Sequence, residues 1–377
     1  MRVACGIAAL TGLALFGSAC TISPAMERAR PVAGSFCPDE RLRRDQVSPA
    51  DTARLRWYRA EEDRDTRLSA SSCSAVGPPA IRVRPAAPFP AWQSGTGVDV
   101  VSWNARAGSG DIIGFLAQEL GLDCTERRPR LRPDARPFVL LLQDAWRRSD
   151  DLPSAEEDSV LPGSRGAQLP LDSLDVVGVA EQCGLAYLYV PSSRNGSDSD
   201  RLGRDDRGNA ILTTLPFSAP IAFELPHEGG RKVSVAVTSN APGGARVRFV
   251  ATQLNAVSSL FRTLVTGNQT RAREALGLID GIAEAEEDGP LTQVVVVGGD
   301  FKAWAGNESA LQHLRQAFPQ SPPWDGLDTY GSSPADHIFF RRRAYRTLEL
   351  EGYERIEATY GSDHHARRAT LADRSSR

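Results

Sequence analysis

From Val98 onward the chain alternates short apolar runs with polar ends, and the runs predict strands and helices in irregular succession. Val98-Asp99-Val100-Val101-Ser102-Trp103 reads as a strand ending in Asn104, and Asp111 to Leu120 carries helical spacing. Phe138 to Leu142 is a continuous apolar run, which predicts a fully buried strand ending at Gln143-Asp144. Tyr187–Val190, Ala210–Thr213, Val233–Thr238 and Val247–Thr252 predict further strands. A helix over Thr270–Ala285 precedes the strongest strand, Val294–Val297, which runs into Gly298-Gly299-Asp300. Residues 147–175 are polar, acidic and proline-containing, and read as an exposed insertion. Hairpin-like neighbours occur beside crossovers. The predicted class is therefore α/β (α+β): a four-layered sandwich of two mixed β-sheets with helices on the outer faces.

The N-terminal part reads differently. Arg2, the apolar run Ile7–Phe16 and the small residues Gly17, Ser18 and Ala19 have the order of a signal peptide over residues 1–19. The run is shorter than the roughly 20 residues that span a bilayer. Export is expected, to the periplasm, the medium or the bacterial envelope. Cys20 follows the small residues as the lipidated cysteine of a lipoprotein would, although Gly17 stands where leucine is usual. Residues 20–97 read as an extension. Ser48-Pro49-Ala50-Asp51 is a helix start for a helix reaching about Leu68, and Gly77–Pro90 is a stiff proline-rich linker. The main domain then covers residues 98–372.

With 377 residues, 41% hydrophobic and 24% charged, the composition excludes collagen-like, disordered and multi-span membrane chains. A net charge of -3 argues against a polybasic coat on nucleic acid or membrane. Of the 44 basic residues only Lys232 and Lys302 are lysines, which singles out both. Four cysteines beyond Cys20 suit an oxidising compartment, and the expected pairs are Cys37–Cys73 and Cys124–Cys183, each within one unit. Four separately buried thiols are the alternative. No spacing suggests zinc.

Chemistry gathers at strand ends. Asn104, Asp144, Gln253, Asn255, Asp300, Lys302, Asp336, Asp363 and His364 each follow or flank an apolar run. Strand ends of packed sheets point such side chains into one cleft. Oxygen ligands from Asn104, Asp144, Asp300 and Asp363 suit a hard cation such as Mg²⁺. An Asp beside a His supplies an oriented base. Taken singly, each Asp is more ordinarily a turn or cap residue; the ordered set carries the reading.

That set is Ser102-Trp103-Asn104, Leu142-Gln143-Asp144, Gly208-Asn209-Ala210-Ile211-Leu212, Gly299-Asp300-Phe301, Asp336-His337-Ile338-Phe339 and Gly361-Ser362-Asp363-His364, in this order. It resembles the endonuclease/exonuclease/phosphatase superfamily, the fold of pancreatic-type deoxyribonuclease, over Val98–Leu371. The resemblance implies a phosphoesterase dependent on Mg²⁺ or Mn²⁺, with water attacking phosphorus in line. By that resemblance Asn104, Asp144 and Asp363 would surround the cation. Asp300 would orient the water, Asp336 would hold His364 against the phosphate, Arg106 would line the cleft and Asn209 its wall.

Four positions depart from the family pattern. Asp144 replaces a glutamate, withdrawing its carboxylate by about 1.5 Å. Gln253 and Asn255 replace histidine and aspartate. Gln253 still donates to phosphate but carries no charge. Lys302 replaces an asparagine: its ammonium either clamps the phosphate or pairs with Asp300 and Asp144, taking the cation's place. The expected function is an exported phosphodiesterase, nuclease or phosphatase, weakened or specialised. A catalytically silent envelope binding protein is the rival reading. The substrate is a phosphate ester: nucleic acid, phospholipid headgroup or small phosphate ester. Arg194 and the Arg127–Arg130 loop are placed to meet a phosphate, and no obligate protein partner is implied.

Overall fold

The computed structural model describes residues 29–31, 55–60, 76–125, 128–148, 174–194, 205–226, 230–255, 268–289, 291–343 and 347–374. The signal segment, Cys20, the Cys37–Cys73 pair and most of the 147–175 insertion lie outside them. The chain begins with β1 (Ala29–Pro31), β2 (Arg56–Ala60), β3 (Ala80–Arg82), β4 (Val98–Asn104), α1 (Ile112–Glu119), β5 (Leu122–Asp123) and β6 (Arg130–Leu131). Next come β7 (Phe138–Arg148), α2 (Val176–Gln182), β8 (Ala186–Arg194), β9 (Asp205–Thr213), β10 (Ser218–Glu224) and β11 (Val233–Asn240). It ends with β12 (Arg246–Gln253), α3 (Asn268–Glu287), β13 (Val294–Asp300), α4 (Ser309–Ala317), β14 (Asp336–Arg342), β15 (Leu348–Arg355) and β16 (Arg367–Asp373).

Two seven-stranded sheets dominate, ordered β15-β16-β4-β7-β9-β8-β3 and β1-β2-β10-β11-β12-β13-β14. Both are mixed: β4–β7 and β12–β13 are parallel, while β16–β4 and β13–β14 are antiparallel. The period-2 alternation of each strand sorts its residues into layers. Val98, Val100, Val139 and Leu141 of one sheet face Val235, Val247, Val294 and Val296 of the other across the central core. Val101, Trp103 and Leu140 turn outward onto Phe115 and Leu116 of α1 and Val179 of α2. Val250, Val295 and Val297 turn outward onto Leu278 and Ile282 of α3 and Leu311 and Leu314 of α4. The result is the expected helix–sheet–sheet–helix sandwich. No helix among the described residues is long and apolar enough to cross a membrane.

The expected N-terminal helix is corrected. Arg56–Ala60 lie in β2, parallel to β10 and antiparallel to β1. Leu55 and Trp57 join the central core while Tyr58 packs on the outer face, a strand's alternation. The exposed edge of β10 offers a ladder of hydrogen bonds that outweighs a local capping signal. In the proline-rich stretch, β3 pairs with β8 and Val83 is buried, so this segment is built into the sheet.

Two features set the cleft. Strand β7 does not stop at Asp144 but runs on to Arg148 through an irregularity between Leu142 and Ala145, where Asp144 adopts φ +47°. Such bulges re-aim a side chain. A Cβ on Gly298 would come within 2.6 Å of Leu141 Cδ1 and 2.9 Å of Ser102 Cβ, so only glycine lets the sheets close here. Cys124 and Cys183 form a disulfide, as expected, with Cα atoms 4.8 Å apart.

Candidate functional site

The parallel pairs bring their carboxyl ends to one edge of the sandwich. Asn104 is in register with Gln143 in one sheet, and Gln253 with Asp300 in the other. Asp336 opens β14 opposite Asp300. The loop carrying His364 is stitched to β4: Ser362 Oγ donates to Asn104 O at 2.7 Å, and Trp103 Nε1 to His364 O at 3.3 Å. Asn104, Gln253, Asp300, Asp336 and His364 are all buried.

Their contacts form one network. Asn104 Nδ2 donates to Asp300 Oδ2 at 2.8 Å and to Asp144 Oδ2 at 3.4 Å, while its Oδ1 accepts from the Arg106 backbone N–H at 2.9 Å. Lys302 pairs its ammonium with Asp300 Oδ2, and its backbone N–H donates to Asp300 Oδ1 at 3.0 Å. Gln253 Nε2 donates to Asp144 Oδ2 at 2.6 Å, and Gln253 Oε1 accepts from Lys232 Nζ at 2.6 Å. Arg207 Nη1 stands 3.9 Å from Asp144 Oδ1. His364 Nδ1 meets Asp336 Oδ2 at 2.8 Å, and its Nε2 lies 3.9 Å from Asp300 Oδ2. The Tyr330 ring stacks on the His364 imidazole at 4.5 Å, with Lys302 Nζ 5.6 Å from the Tyr330 centroid.

Electrostatics follow from these contacts. Burial alone would raise the Asp144 carboxyl, but Lys232, Arg207 and Lys302 together hold it well below the usual range. Burial works against the Lys302 ammonium too, yet Asp300 and Asp144 keep it firmly protonated. Asp300 is lowered despite its burial, chiefly by Lys302 and His364. His364 is raised despite burial by Asp336 and Asp300. Three left-handed residues line the cleft: Arg106 and Lys302 take φ of +48° and +50°, which strains their backbone, while Asp144 takes +47°, which aspartate tolerates.

The remaining expected residues fall around this network. Arg106 and Asp363 pair at 3.4 Å on the rim, both exposed. Asn209 lies in β9, where its Nδ2 donates to Val233 O at 2.7 Å and ties β9 to β11. Asn255 bonds outside this network: its backbone N–H donates to Glu274 Oε2 at 2.8 Å, and its amide to the other Glu274 oxygen and, at 3.1 Å, to Gly230 O. The aspartate of the family pattern would set two carboxylates face to face there. Arg194 ends β8 opposite Asp206.

Three members escaped assignment from sequence: Lys232, Arg207 and Tyr330. Lysine scarcity pointed at Lys232, since both lysines of the chain converge on Asp144. Arg207 is hidden among the other arginines, and Tyr330 sits in a turn without periodicity. Asp300, Asp336 and His364 present ligand atoms within 4.8 Å of one another, a buried group whose spacing a metal ion can bridge. The implied ligands Asn104, Asp144 and Asp363 do not fit a divalent cation: Asp363 pairs with Arg106 on the rim. Asn104 turns its amide nitrogen to Asp144 and Asp300, and Lys302, Gln253 and Arg207 already face their oxygens.

No family model matches the chain, and no curated protein matches it. Solved structures do. The chain is similar to an endonuclease/exonuclease/phosphatase from Beutenbergia cavernae DSM 12333, with 15% identity, TM-score 0.48, and coverage of 74% of this chain and 72% of that one. It is similar to the human Nocturnin catalytic domain with bound sulfate anion, with 15% identity, TM-score 0.48, and coverage of 74% and 94%. It is also similar to sphingomyelinase C from Streptomyces griseocarneus, with 14% identity, TM-score 0.44, and coverage of 73% and 99%. These likenesses concern the fold.

Proposed function

We propose that this chain is an exported hydrolase of phosphate esters, working at the cleft between the two sheets. The observation that carries the reading is the buried Asp336–His364 pair, whose free Nε2 points toward Asp300. The six ordered motifs and the strained backbone at Arg106 and Lys302 add support. In this reading water adds to phosphorus, the ester P–O bond breaks, and the water's proton ends on the leaving oxygen or in solvent. Asp300 orients the water. His364, held by Asp336, donates Nε2–H to a phosphoryl oxygen, and Arg106 and Lys302 offset the charge that grows there. The implied Mg²⁺ or Mn²⁺ takes no step, because Asn104, Asp144 and Asp363, the ligands implied for it, are engaged by other groups. The substrate belongs among phosphodiesters or monoesters of nucleic acid, lipid headgroup or small-molecule type. The signal segment and the Cys124–Cys183 bond support an oxidising compartment, with Cys20 as the anchor if the chain is lipidated.

The saturated surroundings of Asp144 favour a second reading, a silent member that binds an anionic ligand at the envelope. Hydrolysis of bis-p-nitrophenyl phosphate and p-nitrophenyl phosphate by the purified full chain separates the two. Loss of at least about 100-fold in kcat/KM on His364→Ala and Asp336→Asn is expected. Turnover that survives both changes overturns the hydrolase reading, and no turnover in the unmodified chain leaves the binding reading.

A further inference from the structure

We infer that Lys302 stands in for the divalent cation, so that this cleft takes a phosphate ester with a built-in ammonium and without a metal. The inference rests on the reading that the cleft receives phosphate esters, and it names what binds them. All four carboxylate oxygens of Asp300 and Asp144 are engaged, so the Asp300 end of the Asp300–Asp336–His364 group is already taken up. Asp300 Oδ2 accepts from Lys302 Nζ and Asn104 Nδ2, and Asp300 Oδ1 from the Lys302 backbone. Asp144 Oδ2 accepts from Gln253 and Asn104, and Asp144 Oδ1 faces Arg207.

Charge leads to the same place. Lys302, Lys232 and Arg207 set three cations against the two carboxylates of Asp144 and Asp300, and Asp336 is engaged by His364. Cationic groups therefore already stand against both carboxylates. A divalent ion entering it would meet repulsion, whereas a phosphate dianion would meet attraction. The Lys302 side chain is 20% exposed while Asp300 is fully buried, so the ammonium is the part of the pair that an entering ligand reaches.

The residue type is informative. In a chain where all basic residues but two are arginine, both lysines come to this cluster. An ammonium is a compact point charge that fits where an ion would sit, and the planar guanidinium fork does not. The backbone argues further. At φ +50° position 302 suits asparagine better than a long side chain, yet lysine is there, its ammonium fixed between Asp300 and the Tyr330 ring.

The test titrates inorganic phosphate into chelator-treated full-length chain by calorimetry, and Mn²⁺ into the same protein by electron paramagnetic resonance. Phosphate is expected to bind without metal, with affinity unchanged by Mn²⁺, and Mn²⁺ is expected not to bind saturably. Lys302→Met should weaken phosphate at least about tenfold. The combined Lys302→Asn, Gln253→His and Asp144→Glu change should create saturable Mn²⁺ binding. Phosphate binding that appears only after Mn²⁺ is added, and that Asp144→Ala abolishes, overturns the inference and leaves the phosphate-ester reading standing. No phosphate binding with or without Mn²⁺ overturns that reading and the inference together. If the Lys302 variants do not fold, the two titrations of the unmodified chain decide the matter alone.

Discussion

The Gln253 amide joins Lys232 to Asp144, accepting from the ammonium and donating to the carboxylate, each at 2.6 Å. The pair therefore communicates through a neutral group with a fixed donor and acceptor end. Gln253→Leu removes both bonds and leaves Lys232 and Asp144 each short of a partner. Destabilisation of about 1–3 kcal/mol is expected in urea denaturation. A change within a few tenths of a kcal/mol would show that water replaces the amide freely.

Outside the cleft, Asp206 accepts four hydrogen bonds. It accepts from Arg147 Nε at 3.0 Å and Nη2 at 2.5 Å, from Tyr189 Oη at 2.6 Å and from the Gly77 backbone at 2.9 Å. Arg147 also donates to Pro78 O at 2.5 Å, so the group clamps the segment leading into β3. Asp206→Ala strands a buried guanidinium and should cost about 3–5 kcal/mol. Limited proteolysis should then cut first near residues 76–90, and equal resistance in both proteins would refute the clamp.

Glu274 lies fully buried in α3, and burial pushes its carboxyl up to about 7 from an ordinary 4.5, against the pull of its Asn255 hydrogen bonds. Between those two values the native chain keeps a proton that the unfolded chain has released. Stability contributed by the protonated form is therefore present at low pH and falls as pH rises toward 7, by up to about 3 kcal/mol. Thermal melts from about pH 5 to about pH 8 should show this decline. Glu274→Gln should flatten it, and an unchanged slope in that variant would place the titrating group elsewhere.

The Cys124–Cys183 bond closes a loop with a sequence separation of 59 and ties the end of β5 to the end of α2. Replacing both cysteines with alanine should lower stability by about 2–4 kcal/mol through the freed unfolded chain. The same shift should follow reduction of the unmodified chain, read as a lower midpoint in urea.

The strands that carry the cleft were legible because a buried strand announces itself. Val98–Trp103 and Val294–Val297 are apolar on both faces, and the polar residue that ends each, Asn104 or Asp300, stands out. The strand β2 was not legible, since Ser48-Pro49-Ala50-Asp51 is a sound local helix signal and the competing hydrogen bonds come from β10, far along the chain. Asp144 was legible as a polar end but not as a bulge, because the turn to φ +47° depends on the partner strand β9. Lys302 was read as either phosphate clamp or cation substitute. The structure adds what spacing cannot: which oxygens it occupies, and that Lys232 arrives from just ahead of β11 and Arg207 from β9.

Asn104 and Asp300 belong to different sheets, and Gly298 sets how closely those sheets approach beside them. The alignment of the cleft is thus a property of the interior seam as much as of its own residues. Gly298→Ala would wedge the seam and lengthen the Asn104–Asp300 contact without changing any side chain of the cleft. Variants far from solvent should accordingly fall into two sorts, those that melt the protein and those that leave it folded with its two halves out of alignment.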